Sequence, residues 1–93
     1  MTDYRKLKDL LELERYPHRY LHKFIGAKTV EFRAGVEKLE RAFPTAKVTF
    51  RETAGTNGTA YIAFTFEFKA DSPDEIIRLL RATSLIPDIR VVL

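Results

Sequence analysis

The sequence predicts an α+β domain: a four-stranded antiparallel sheet with two helices on one face, preceded by an N-terminal helix. Three observations carry the prediction. Between Ala60 and Lys69, the residues Ile62, Phe64, Phe66 and Phe68 alternate with Tyr61, Ala63, Thr65 and Glu67, the period-two pattern of a strand with one face in a core. Two other stretches repeat apolar residues at the helical period, Phe32-Val36-Leu39-Phe43 and Ile76-Ile77-Leu79-Leu80-Thr83. The prolines, at 17, 44, 73 and 87, fall at the borders of the periodic segments.

Along the chain, Tyr4, Leu7, Leu10 and Leu11 recur three and four residues apart, so residues 2–15 read as a helix. Tyr16-Pro17 stops it, because the residue before a proline is pushed out of the α region. Tyr20 to Ile25, rich in aromatic and β-branched residues, reads as the first strand, with Gly26 closing it as a turn residue. Thr29 caps the second helix and Pro44 ends it. Ala46 to Thr53 alternates Val48 and Phe50, directed inward, with Lys47, Thr49 and Arg51 directed outward. Gly55-Thr56-Asn57-Gly58 supplies the hairpin turn into the aromatic strand. Ser72-Pro73-Asp74-Glu75 then offers an N-cap, a proline at the first helical position and a capping-box glutamate for the third helix. Pro87 closes the connection to a last strand, Ile89 to Leu93. A helix followed by β-α-β-β-α-β is the order of the ferredoxin-like split fold, with both main helices on one face. One domain over residues 1–93 is expected, with 1–15 as its helical extension.

Composition narrows the function classes. Hydrophobic residues make up 45% of the 93 and charged residues 31%, a globular mixture rather than a disordered one. The chain has no cysteine, which excludes disulfides, a thiolate nucleophile and Cys-based metal sites. The opening residues are charged throughout and no run of 18 apolar residues exists, so a soluble cytoplasmic protein with no membrane contact is expected. Sixteen Lys and Arg against thirteen Asp and Glu give +3. The basic residues are spread along the chain, with no stripe or tail of the kind nucleic-acid binders use. The charge permits an anionic partner without demanding one.

Catalytic and metal-binding constellations are missing. His18 and His22 straddle Pro17 and enter a strand, where residues four apart are about 13 Å apart, so they read as packed or rim histidines rather than metal ligands. Ser72 is used as a cap and Ser84 lies near a helix end, with no nucleophile elbow around either. The glycines build no phosphate-cradling loop, and Asp74 and Glu75 sit where a helix dipole favours acids. No enzyme activity, cofactor or metal is expected.

Three binding features stand out. Gly26-Ala27-Lys28-Thr29 brings a glycine, a lysine and the free amides of a helix N-terminus together, a candidate small-anion site to which Lys23 adds charge. Tyr61 is the single stacking aromatic for an RNA platform on the open sheet face. The segment Asn57 to Phe64 matches part of an RNA-recognition pattern at Gly58, Ala60, Tyr61, Ile62 and Phe64, but lacks its basic residue and first stacking aromatic. Val91-Val92-Leu93 is apolar on both faces, so either a second copy pairs along the last strand as a homodimer or the N-terminal helix covers one face.

The block Tyr16-Pro17-His18-Arg19-Tyr20-Leu21-His22-Lys23-Phe24-Ile25-Gly26 resembles the opening of the YbeD-like family of small bacterial proteins, and the closing Ile89-Arg90-Val91-Val92-Leu93 resembles that family's last strand. The resemblance implies a fold similar to ACT-type regulatory domains that sense small ligands, and a regulatory role linked to lipoate synthesis. It brings no catalytic residues, and Phe68-Lys69-Ala70 lacks the Asp of a lipoyl-carrier hairpin. The expectation is a non-catalytic regulatory domain that works through a protein partner or a small anionic ligand, with an RNA platform as the alternative.

Overall fold

In a computed structural model the described residues, 3–55 and 60–93, form helices α1 (Tyr4–Leu11), α2 (Val30–Ala42) and α3 (Pro73–Ser84) and strands β1 (His18–Ala27), β2 (Lys47–Ala54), β3 (Ala60–Ala70) and β4 (Ile89–Val92). Apart from Gly55, the expected hairpin turn lies outside the described residues. The strands make one antiparallel sheet in the order β2-β3-β1-β4, so β3 and β1 are its centre and β2 and β4 its edges. The architecture is α+β, an open four-stranded sheet with three helices.

Period-two patterning decides which side of the sheet is covered. Ile62, Phe64, Phe66 and Phe68 of β3 are buried and stand opposite Gly26, Phe24, His22 and Tyr20 of β1. Phe32, Val36 and Leu39 of α2 and Ile76 and Leu79 of α3 complete the same core. Burying a side chain such as Phe24 or Leu79 contributes about 1.5–3 kcal/mol, so this layer holds the domain together. Thr29 caps α2 as expected, its hydroxyl accepting from the Phe32 amide at 3.1 Å.

The sequence expectations need correction at several elements. α1 ends at Leu11 rather than near residue 15. Residues 12–15 bury nothing, with Leu13 81% exposed, and the Tyr16 hydroxyl donates to the Leu11 carbonyl at 2.8 Å, closing the helix end. Gly26 is not a turn residue but lies within β1, which runs on to Ala27. Its missing side chain makes room for the Phe32 ring; a Cβ there would fall inside the ring's van der Waals envelope. Phe50, inward by the alternation of its strand, is 62% exposed because β2 is an edge strand that the helix layer covers only in part. Ser72 has extended cap geometry but makes no side-chain cap bond. Glu75 reaches past it and accepts from the Asp71 amide at 2.9 Å.

α1 packs against α3, where Lys8 pairs with Asp74 at 3.1 Å and the Arg81 guanidinium lies over the Tyr4 ring. It therefore leaves β4 bare: Val91, Val92 and Leu93 are 43%, 46% and 70% exposed.

Candidate functional site

The expected anion site at the start of α2 is assembled as a piece of internal wiring. Lys28 donates to the Glu52 carboxylate at 2.9 Å, and Arg33 donates to the other oxygen of the same carboxylate at 3.0 Å. The Lys28 ammonium beside it holds the Glu52 carboxyl below its ordinary range. The Thr29 hydroxyl donates to the Asp88 carboxylate at 2.7 Å, so an acid of the chain already sits beside this helix end. Asp88 has a left-handed φ of 62° and its carbonyl accepts from the Ala27 amide at 3.0 Å, tying the start of β4 to the end of β1. Gly26 is filled by Phe32, and Lys23 points to the opposite side of the sheet from the core residues Phe24 and His22. Lys23, Gly26, Lys28 and Thr29 are thus neighbours along the chain that do not converge on one cavity. Glu52 and Asp88, the carboxylates that bond Lys28 and Thr29, carry no local sequence signal for it, because Glu52 lies 24 residues from Lys28 and Asp88 lies 59 from Thr29.

His22 is fully buried on β1. The Thr83 hydroxyl donates to the Leu79 carbonyl at 2.8 Å, so it accepts from His22 Nε2–H at 2.9 Å, which leaves Nδ1 as a buried lone pair without a partner. Burial lowers the His22 pKa to about 4. His22 is a packing histidine, and the described residues contain no group of acids and histidines able to hold a metal.

The uncovered face of the sheet has a different character. Residues of odd number on β1, β2 and β3 share it, as the register pairs Lys23 with Thr65, Arg51 with Ala63 and Lys47 with Glu67. Among the described residues this face collects Arg19, Lys23, Lys47, Arg51 and Lys69, and Arg90 joins them at the rim of a hollow of about 330 Å³ formed with Ile25, Thr53, Tyr61 and Val91. Glu67 is the one carboxylate among them, bonded to Arg19. Six cations against one acid leave five positive charges here, on a protein whose total is +3. Between them lie the small residues Ala63, Thr65, Thr49 and Thr53 and the larger Leu21, Ile25 and Tyr61, so the face mixes cations with apolar side chains. Cations scattered in sequence become clustered in space because they fall on alternate residues of neighbouring strands. The parity of Lys47, Arg51 and Lys69 was the signal available in the sequence.

The fold is similar to the solution structure of the C-terminal domain of the MgtC protein from Mycobacterium tuberculosis, with a TM-score of 0.54 and 17% sequence identity, over 86% of this chain and 88% of that one. At that identity the likeness is one of fold. No family model and no curated protein matches the chain. The expected YbeD-like membership is therefore corrected. The block that carried it, Tyr16 to Gly26, serves as the bend before β1 and the core strand itself, for which an aromatic-proline start and alternating apolar residues are ordinary requirements. No helix among the described residues is long and apolar enough to cross a membrane.

Proposed function

We propose that this chain is a non-catalytic interaction domain, ferredoxin-like in arrangement, whose working surface is the open face of its sheet and whose partner is polyanionic. The arrangement rests on the β1-α2-β2-β3-α3-β4 connectivity and the β2-β3-β1-β4 order. The single observation that carries the function is the charge of the open face: five net positive charges on one helix-free side of the sheet. A field of one sign attracts an extended anion and accelerates its encounter. A regulatory role through a small ligand, expected at Lys28 and Thr29, draws less support, because Glu52 and Asp88 already occupy those groups. Homotypic pairing along the free edge of β4 is compatible with the same role, since Val91 and Leu93 are exposed there.

Single-stranded RNA is the second reading, favoured by one observation. Tyr61 borders the hollow beside Arg90 on the basic face, which puts a ring and a guanidinium where a base and its phosphate would meet them. Amide ¹H–¹⁵N spectra recorded during titration with oligouridylate and, separately, with a polyglutamate peptide test both readings. Shifts centred on β1 and β3 with either polyanion support the interaction face. Loss of the oligouridylate shifts alone in Tyr61→Ala selects RNA. Shifts absent with both polyanions remove the proposal.

A further inference from the structure

On the helix side of the molecule, away from the face just described, α1 and α3 enclose a groove of about 400 Å³. Arg5 and Lys8 of α1 and Arg78 and Arg81 of α3 line it, and Asp74, paired with Lys8, is its one acid. We infer that this groove is a binding site for a condensed phosphate, the chain of two or three phosphates carried by a nucleotide. Three net positive charges gathered in one hollow match the charge of such a chain. The geometry of the two α3 arginines adds a second reason. The Arg81 guanidinium lies 4.6 Å from the centre of the Tyr4 ring and that of Arg78 lies 4.7 Å from the centre of the Phe43 ring. A guanidinium over a ring face leaves its N–H donors free for another partner. A guanidinium edge donates to a phosphate in bidentate fashion, and contact with the ring lowers the cost of ordering the side chain. Arg78 and Arg81 lie three apart on α3 and both line the groove, one held towards Phe43 and the other towards Tyr4. Asp74, and to a lesser extent Glu12 and Asp9 of the α1 segment, raise the Lys8 pKa and offset part of its charge, so the arginines are the fork donors of the groove.

Calorimetric titration of the full chain with sodium tripolyphosphate at about 50 mM salt, where phosphate contacts are weakly screened, tests the site. The expected result is saturable binding that Arg78→Gln and Arg81→Gln each weaken by about tenfold or more, as loss of a charged hydrogen-bonding partner does, while Lys38→Gln on α2, outside both the groove and the sheet face, leaves it unchanged. Hydrogen exchange of the α1 amides shows whether Arg81→Gln has undocked that helix; Arg78 stacks on α2 rather than α1, so its variant reads phosphate contact independently. Absence of saturable binding overturns the proposal. So does full affinity in Arg78→Gln, or a loss in Lys23→Gln on the sheet face as large as that in Arg78→Gln, which would place the anion on the sheet. Titration with ATP assigns the ligand further: tighter binding than tripolyphosphate supports a nucleotide and equal binding supports the phosphate chain alone.

Discussion

Arg19 and Lys69 stand directly opposite each other on β1 and β3, two cations in one cross-strand pair on the open face of the sheet. Like charges in that position destabilise a sheet, and Glu67, two residues before Lys69, offsets the cost only by bonding Arg19. A local rule broken without structural gain marks a place where another demand has been met. Binding of a polyanion on this face, as proposed above, would supply that demand.

The pair makes stability and binding move in opposite directions. Lys69→Glu replaces repulsion with attraction across the pair and is expected to raise stability by about 0.2–1 kcal/mol in denaturant unfolding. The same variant is expected to weaken polyanion binding. A variant that lost both stability and binding would contradict this account of the pair.

Gly26 is held to glycine by the core rather than by a turn. Phe32 is fully buried between Phe24 and Phe64, with ring centres 6.2 and 5.8 Å away, so it has no free volume into which to retreat from a new methyl group. Gly26→Ala is expected to cost about 1–3 kcal/mol by overpacking, read as a lower midpoint in denaturant. An unchanged midpoint would show that Phe32 can move.

His22 makes the fold sensitive to acid. Its folded pKa, about 4, lies below the ordinary 6.5 of the unfolded chain. The unfolded state therefore binds a proton first as the pH falls. The stability contributed by the neutral ring is complete above about pH 6.5 and is lost progressively down to about pH 4, a total of about 3 kcal/mol. The rings of Tyr20 and Phe24 and the Thr83 hydroxyl surround the imidazole, and no carboxylate is bonded to it to absorb the charge. His22→Phe is expected to flatten the stability profile between those pH values and to change neutral-pH stability by less than about 1.5 kcal/mol, since it also removes the unpaired Nδ1. Persistence of the same acid slope in the variant would assign the slope elsewhere.

The α+β class, the position of β3, the cap at Thr29 and the buried stripes of α2 and α3 were legible because each is dictated by local periodicity. The end of α1, the exposure of Phe50 and the place of Gly26 were not, because they depend on what lies above each residue: nothing over Leu13, an edge over Phe50, a ring over Gly26. The candidate site followed the same division. Lys23 and Tyr61 stand out singly in the sequence, but the face they share emerges only when the register joins β1, β2 and β3. Lys28 and Thr29 resembled an open anion site until the fold supplied Glu52 and Asp88 from distant parts of the chain.

The most direct test of the sheet-face account is fluorescence anisotropy of a labelled oligouridylate followed across salt concentrations, with the wild type and Lys23→Gln/Arg51→Gln compared. Each phosphate neutralised contributes about −0.7 to the slope of log affinity against log salt for a single strand, so the double variant is predicted to bind more weakly with a slope shallower by about 1.4. Lys38→Gln/Arg41→Gln, which removes two cations of α2 instead, is predicted to leave the slope unchanged. Equal slopes for the wild type and the sheet-face variant, or no binding at the lowest salt, would contradict the account.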